Sequence, residues 1–196
     1  MGERIRLYDP APVSDSVSGS VLESDRQAVL SICVLTGDAG RDATGLGDPR
    51  ELTERYAAPY LDLEREHAWV AEREGRVLGY LLAAADTASF AARFEARPSP
   101  LLNADARGRH AADMLRSADE EYPAHLHVDL LPEGQGSGFG RRLVEHCLEQ
   151  LAAEGVPGVH LVVDPRNEGA QAFYARVGFT ERRRDADGIV FGRLLS

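Results

Sequence analysis

The 196-residue chain contains no lysine, since all 22 of its basic side chains are arginine. This absence excludes a lysine Schiff base, and it excludes the nucleotide phosphate loop, whose motif requires a lysine. Only Cys33 and Cys147 could supply thiols, so neither a disulfide framework nor a cysteine metal site is indicated. No apolar run approaches the roughly 18 residues of a membrane helix, and the N-terminus lacks the design of a secretory signal. We therefore expect a cytoplasmic protein without a membrane partner.

Positive charge is also scarce, because 22 basic side chains face 32 acidic ones and the formal net charge is −10. Binding along a nucleic-acid backbone needs a basic surface, so we expect no nucleic-acid partner. An acidic surface is compatible with a cationic or neutral substrate, although it is usually a solubility feature. The length favours a single domain, residues 1–196.

The order of predicted elements indicates an α/β protein with a mixed sheet. Residues 68–85 read as a β-hairpin, and Ala124 to Pro132 as a strand with alternating apolar and polar side chains. An amphipathic helix and a buried strand at Gly158 to Asp164 follow, which makes a right-handed crossover. Other predicted elements are a strand at 5–9, a mobile loop at 10–24, helices after Ser24 and after Pro49, a short helix closed by Gly178, and two final strands.

A glycine-rich loop lies between the strand and the helix of this crossover. Gln135, Gly138 and Gly140 form a Q-x-x-G-x-G motif, whereas a dinucleotide fingerprint would need a glycine where Arg141 stands. Glycines let successive backbone N–H groups turn toward one point, and the start of a helix adds its positive dipole end. The natural guest of such a loop is a pyrophosphate.

The loop resembles the acyl-CoA signature of the GNAT acetyltransferases, and a second motif makes the resemblance specific. Residues 167–179, NEGAQAFYARVGF, resemble the later N-x-x-A-x-x-F-Y-x-x-x-G-F element of that family, one helix and one strand after the loop. The resemblance implies a GNAT fold, with a mixed, mostly antiparallel sheet flanked by helices, in a monomer or a homodimer. It also implies acetyl-CoA as cofactor, CoA as product and an amine acceptor on a small molecule or a peptide. The cofactor residues it implies are Leu130, Leu131, Gln135, Gly136, Ser137, Gly138, Phe139, Gly140, Arg141, Asn167, Phe173 and Tyr174.

Catalytic roles follow from the same resemblance. Tyr174 is the candidate general acid for the departing thiolate, and a backbone N–H near Leu130 is the candidate oxyanion donor. The general base is less defined: Asp129 and His127 rank above His125 on the polar face of their strand. Asp86 and Asp129 are candidates for the acceptor site. The insertion at residues 87–123 is a candidate cover for that site, and no metal is indicated.

A narrower resemblance covers most of the chain. The segments AHLHVDLLP, FYARVGF and DGIVFGRLL, together with VLGYLLAAAD, are similar to the acetyltransferase-like C-terminal domain of eukaryotic O-GlcNAcases. The glycine loop is complete in this chain, which implies a free-standing bacterial relative that binds the cofactor. The alternative to an N-acetyltransferase is a non-catalytic module that binds acyl-CoA or a protein segment.

Overall fold

A seven-stranded sheet organises the protein, for which a computed structural model describes residues 2–10, 24–186 and 188–195. The strand order is β1-β2-β3-β4-β5-β7-β6, and only the β4–β5 pair is parallel. This confirms the predicted mixed, mostly antiparallel sheet. The strands are β1 (Glu3–Leu7), β2 (Ala68–Arg73), β3 (Arg76–Ala84), β4 (Ala124–Leu130), β5 (Gly158–Val163), β6 (Thr180–Asp185) and β7 (Gly188–Leu194).

Helices flank this sheet, and short 3-10 turns at Arg65–His67 and Pro132–Gly134 lead into β2 and out of β4. The α1 helix begins where predicted, because Ser24 and Gln27 form a capping box. The predicted mobile loop falls largely outside the described residues. The α-helices are α1 (Asp25–Thr36), α2 (Pro49–Tyr56), α3 (Ala58–Leu63), α4 (Thr87–Ala96), α5 (Ala104–Leu115), α6 (Phe139–Ala153) and α7 (Glu168–Arg176).

The β4–α6–β5 crossover positions the glycine loop. The α6 helix packs against β1 to β4 through one apolar stripe. Burial of each large aliphatic side chain in this stripe contributes about 1.5–3 kcal/mol to folding, which fixes the helix on the sheet. The stripe consists of Leu143, Val144, Cys147, Leu148 and Leu151, all buried as predicted.

Residues 87–123 form two helices that pack against each other, α4 and α5, joined by a loop. Phe90 and Phe94 are fully buried, so these side chains belong to the core. The basic run Arg182 to Arg184 lies in β6, an exposed edge strand. Within the described ranges, no helix has both the length and the apolar character needed to cross a membrane.

Candidate active site

The two central strands of the sheet separate and leave an open edge on β4. Between β4 and β5 only two residue pairs form, Ala124 with Val159 and His125 with His160. On its other side, β4 stays paired with β3 from His125 to Leu130. The edge of β4 beyond His125 is therefore available to a ligand.

The backbone of Leu130 points into this gap. Leu131 N donates to Leu78 O at 2.9 Å, and antiparallel ladders alternate the direction of successive residues. The N–H and C=O of Leu130 consequently point away from β3. Gln135 Nε2 donates to Leu130 O at 3.1 Å, which fastens the glycine loop to the strand. The N–H of Leu130 faces the gap, where the sequence predicts an oxyanion donor.

The glycine loop has a backbone that only glycine adopts readily. Gly136 and Gly138 have φ angles of 72° and 86°, in the left-handed region. A Cβ at either position would meet nothing within 4 Å, so the loop borders open space. The α6 helix starts immediately after Gly138, and no side chain caps its N-terminus. Its first N–H groups therefore face outward as donors for an anion.

The charges around the N-terminus of α6 also favour an anion. Its first turn has no acidic side chain, although acidic residues favour that position. Arg141 and Arg142 stand near the start of the helix instead, and Arg141 lines the adjoining cavity. Left-handed glycines, uncapped amides and a cationic side chain fit a pyrophosphate well.

A donor-side cavity of about 590 Å³ extends from this loop along β4 to α7. Thr36, Ala39 and Gly40 bound it on the side of α1. These three were not predicted, because no local pattern marks a loop that folds over a distant strand. Ten predicted residues line the cavity: Asp129, Leu130, Gln135, Gly136, Gly138, Gly140, Arg141, Asn167, Phe173 and Tyr174.

Three predicted cofactor residues have side chains that do not line this cavity. Leu131 is buried, and the Phe139 ring is fully buried beneath the guanidinium groups of Arg73 and Arg142. Ser137 Oγ donates to the carbonyl of Gly134 at 2.6 Å. Their side chains shape the loop, so the cofactor role predicted for these three residues rests on their backbone and stays a prediction.

Asn167 acts as the N-cap of α7, with Oδ1 accepting from Ala170 N at 3.0 Å. Gly40 lies against the other side of the Asn167 amide, since a Cβ there would be 3.1 Å from Nδ2. The helix cap thus also lines the cavity. Gly140 has a packing role as well, because a Cβ there would meet the Phe173 ring at 3.1 Å.

Tyr174 projects its phenol into the donor-side cavity from α7. The rings of Phe173, Phe179 and Phe191 surround it at 5.1, 5.5 and 6.2 Å between centroids. Burial raises the pKa of Tyr174 well above its usual value, and the nearby charge of Asp129 raises it further. The phenol therefore stays protonated near neutral pH, as a proton donor must.

Asp129 lies on β4 at the same cavity. Its Oδ2 accepts from the Tyr80 hydroxyl at 2.6 Å. Burial raises the pKa of Asp129, and the hydrogen bond from Tyr80 opposes that rise. The carboxylate therefore belongs to the side of the gap that contains Tyr174.

An acceptor-side cavity of about 440 Å³ opens on the same edge of β4, nearer to the point where β4 meets β5. Imidazole and phenol rings line it, together with branched apolar side chains of β5 and β7 and charged side chains such as those of Asp113 and Arg183. Residues from α2, α3, α5, β4 and β5 thus meet here. The rings belong to Tyr56, Tyr60, His110, His125, His127 and His160, and Met114 lies beside them.

Both predicted histidines of β4 bind one tyrosine. Tyr60 Oη lies 2.7 Å from His125 Nε2 and 3.0 Å from His127 Nε2. Burial, then the neighbouring histidines, lower the pKa of His125 well below its usual value and that of His127 to about 4. Both imidazoles are consequently neutral near pH 7. Tyr60 was not predicted, and it carries no sequence signal beyond its place after Pro59.

The structure separates Asp86 from Asp129, the two residues predicted for the acceptor site. Asp86 is exposed and caps α4, accepting from Ser89 N at 2.7 Å. The β3–β4 register places Asp129 opposite Tyr80 and His125 opposite Ala84. Asp86 therefore lies at the far end of β4 from Asp129, and its side chain lines neither cavity.

Comparison with known proteins agrees with this geometry. The sequence model of the Acetyltransferase (GNAT) family matches residues 41–179. The chain belongs to the GNAT acetyltransferase family. Proteins of this family are acetyltransferases.

Solved structures of this family share the fold. The chain is similar to the crystal structure of SsHAT, with a TM-score of 0.83 and 35% identity over 100% of both chains. Its fold also resembles that of yncA, a putative acetyltransferase from Salmonella typhimurium solved with its cofactor acetyl-CoA. That likeness has a TM-score of 0.58 and 16% identity, over 100% of this chain and 95% of the other, and shows the fold alone.

Curated relatives match over a shorter segment. The mycothiol acetyltransferase of Streptomyces griseus subsp. griseus is 45% identical over 58 residues, which cover 30% of this chain and 19% of that protein. The mycothiol acetyltransferase of Nocardiopsis dassonvillei is 50% identical over 52 residues, 26% of this chain and 16% of that protein. The match thus spans about a fifth or less of these relatives.

Proposed function

We propose that the GNAT protein is an acetyl-CoA-dependent N-acetyltransferase whose acceptor is an amine of a small molecule or of a peptide or protein. The observation that carries the proposal is the open edge of β4, where two cavities of different chemistry meet. One contains the glycine loop and Tyr174, and the other contains neutral histidines. A donor and an acceptor can therefore approach the same stretch of backbone from different sides.

Each part of the donor-side cavity has a proposed role in holding acetyl-CoA, which supplies the activated acetyl group. The N–H groups from Gly136 to Arg141 bind the pyrophosphate, whereas the predicted N–H of Gln135 already donates to Pro132 O at 3.2 Å. Asn167 and Phe173 flank the pantetheine arm. The N–H of Leu130 donates to the oxygen that gains charge during attack. A donor of this kind is typically worth about 3 kcal/mol of transition-state stabilisation.

Tyr174 is the proposed proton donor, and the proposed proton acceptors lie on the polar face of β4. Tyr174 donates its phenolic proton to the departing sulfur, which its raised pKa permits at neutral pH. His127 and Asp129 are the proposed proton acceptors for the attacking amine. A minor role in acceptor binding remains proposed for Asp129, because it lines the donor-side cavity two residues along β4 from His127, which lines the other cavity.

Release of free thiol from acetyl-CoA, followed across a panel of amines, tests this function. The panel should combine small amines with peptides, since the match to mycothiol acetyltransferases covers too little of them to transfer their acceptor. Turnover of at least one amine, with its acetylated product identified by mass spectrometry, is the expected result. Binding of acetyl-CoA without turnover of any amine would favour the non-catalytic module instead.

We also propose a narrower kinship with the acetyltransferase-like domain of O-GlcNAcases. A cytoplasmic location, and a monomer or a homodimer as the oligomeric state, are proposed as well. The kinship rests on the four segments quoted above. Residues 87–123 are proposed as the part of the protein that faces the acceptor. His110, Asp113 and Met114 of α5 line the acceptor-side cavity, which supports that assignment.

A further inference from the structure

A continuous chain of hydrogen bonds runs along the wall of the acceptor-side cavity. It begins at the carbonyl of Pro123, which lies 2.6 Å from Thr87 Oγ1. Thr87 Oγ1 lies 2.8 Å from His125 Nδ1. The chain continues from His125 Nε2 through the Tyr60 hydroxyl to His127 Nε2, at 2.7 and 3.0 Å. Thr87, His125 and Tyr60 are all buried, so water does not compete for these bonds.

The first link fixes the direction of the chain. A carbonyl oxygen can only accept, and a threonine hydroxyl carries a single hydrogen. Thr87 must therefore donate to Pro123 and accept from His125. The hydrogen of His125 consequently resides on Nδ1.

The hydrogen on His125 Nδ1 also fixes the direction of the next hydrogen bond, between His125 Nε2 and the Tyr60 hydroxyl. Burial lowers the pKa of His125 well below its usual value, so its imidazole is neutral and has only one N–H. With that hydrogen on Nδ1, Nε2 can only accept, and the Tyr60 hydroxyl must donate to it. Burial also raises the pKa of Tyr60, which keeps its hydroxyl protonated. The oxygen of Tyr60 then accepts a hydrogen from His127 Nε2.

The last link leaves one atom of His127 with a free lone pair. We propose that Thr87, His125 and Tyr60 hold His127 as the Nε2–H tautomer, so that His127 Nδ1 takes the proton of the acceptor amine. This assignment rests on the proposed N-acetyl transfer only for its last step. Among the described residues, Nδ1 of His127 has no hydrogen-bond partner, and the side chain lines the acceptor-side cavity.

The position of Asp129 explains why His127 is preferred over it. Asp129 lines the donor-side cavity together with Tyr174, and its Oδ2 already accepts from Tyr80 at 2.6 Å. His127 lies two residues earlier on β4 and lines the other cavity. The proton donor and the proton acceptor thus line two different cavities along β4.

The proton balance of the transfer is simple. As the amine nitrogen bonds to the acetyl carbon, its proton moves to His127 Nδ1, and Tyr174 gives its own proton to the departing sulfur. His127 becomes an imidazolium whose Nε2–H still donates to Tyr60, and Tyr174 becomes a phenolate. Solvent water then takes the Nδ1 proton of His127 and returns a proton to Tyr174, which restores both residues. The charge does not pass on to His125, because burial and the surrounding His127, His160 and His110 make that ring the harder one to protonate. Tyr60, His125 and Thr87 are therefore positioning residues.

Two-bond ¹⁵N–¹H correlation spectra of the histidine-labelled protein test the tautomers without any substrate. In the wild type, His127 should be Nε2–H and His125 should be Nδ1–H. Thr87→Val removes the acceptor of His125 Nδ1–H, so His125 should change to Nε2–H and reverse the chain. Tyr60 would then donate to His127, which should change to Nδ1–H. Thr87→Ser keeps the hydroxyl and should keep the wild-type tautomers.

If His127 were in the Nδ1–H form in the wild type, the proposed direction of the hydrogen bonds would be wrong. The same would follow if the tautomer of His127 did not change in Thr87→Val. Thermal melts of both variants should show that the fold persists.

Once an amine is turned over, Thr87→Val should lower kcat about tenfold or more with KM for acetyl-CoA unchanged. His127→Asn should lower kcat about 10²-fold or more. Full turnover by His127→Asn would overturn the base assignment. If the wild type acetylates no amine, the proposed function fails. The tautomer spectra need no substrate, so they still show whether the chain of hydrogen bonds has the proposed direction.

Discussion

The two cavities on β4 bind ligands by different means. The donor-side cavity relies on backbone: two left-handed glycines, the uncapped N–H groups of α6 and the N–H of Leu130. The acceptor-side cavity relies on side chains that come from α2, α3, α5, β4 and β5. Backbone groups suit a cofactor shared by a whole family, whereas converging side chains can be exchanged to suit one acceptor.

Electrostatics differ between the cavities in the same way. The helix start and Arg141 give the donor side a positive potential that suits phosphate groups. Burial keeps His125 and His127 uncharged on the acceptor side, which preserves lone pairs for protons. The following changes are arranged by the size of their expected effect on transfer.

Tyr174→Phe should have the largest effect, because it removes the proton donor and leaves the ring in place. We expect kcat to fall about 10²- to 10⁴-fold with little change in acetyl-CoA affinity. Steady-state thiol release and calorimetry measure the two quantities. Tyr122→Phe is the control, since Tyr122 packs against Arg182 and lines neither cavity. Equal rates for wild type and Tyr174→Phe would remove Tyr174 from the mechanism.

Gly138→Ala should weaken acetyl-CoA binding about tenfold, because the left-handed region costs an alanine about 1–2 kcal/mol and the loop distorts to avoid it. Gly75→Ala is a matched control. Gly75 has a φ of 84°, against 86° for Gly138, and a Cβ meets nothing within 4 Å at either position. Both variants should lose similar unfolding free energy in denaturant titrations. Only Gly138→Ala should lose affinity in calorimetry, and equal affinities would argue against the loop.

Gln135→Glu should weaken acetyl-CoA binding by about 1 kcal/mol. It replaces the amide that donates to Leu130 O with a carboxylate, and it adds a negative charge beside the proposed pyrophosphate. Gln150→Glu is the control, because Gln150 Nε2 donates to Glu66 O at 3.2 Å in a similar contact away from both cavities. A Gln135→Glu protein with wild-type affinity would show that the side chain is dispensable.

His67→Gln should leave acetyl-CoA affinity unchanged and affect only stability, by about 1 kcal/mol or less. Burial opposes the charge on His67, but hydrogen bonds to Glu64 and Glu154 outweigh it and raise the pKa of His67. A raised pKa stabilises the fold below the unfolded value of about 6.5, and this contribution is lost as pH rises through the folded pKa. The stability difference between wild type and variant should therefore be larger at pH 6 than at pH 9 in urea titrations. A difference that grows with pH would contradict the assignment.

The donor side could be predicted from the sequence because its parts are contiguous. The glycine loop and the start of α6 lie within residues 135–141, and their pattern alone indicates a backbone anion site. The second motif, residues 167–179, extended this prediction to Asn167 and Tyr174, both of which line the cavity. The sheet followed from the alternation of apolar residues, which records burial on one face.

The acceptor side could not be predicted, because tertiary structure alone brings its residues together. Tyr60 and Thr87 are 65 and 38 residues from His125 in the chain, and neither belongs to a local pattern. The distance between Asp86 and Asp129 has a related cause. The sequence places Asp86 at the end of β3, but which end of β4 lies beside it depends on how the two strands pair. Antiparallel pairing put Asp86 at the end of β4 remote from Asp129.

The central claim is that the thioester of acetyl-CoA lies at the open edge of β4. Amide chemical-shift mapping of the ¹⁵N-labelled protein, first with CoA and then with acetyl-CoA, tests it directly. Both ligands should shift the amides of residues 136–141, and only acetyl-CoA should add a shift at the Leu130 amide. Identical spectra at Leu130 with the two ligands, or no shift in the glycine loop, would contradict the account.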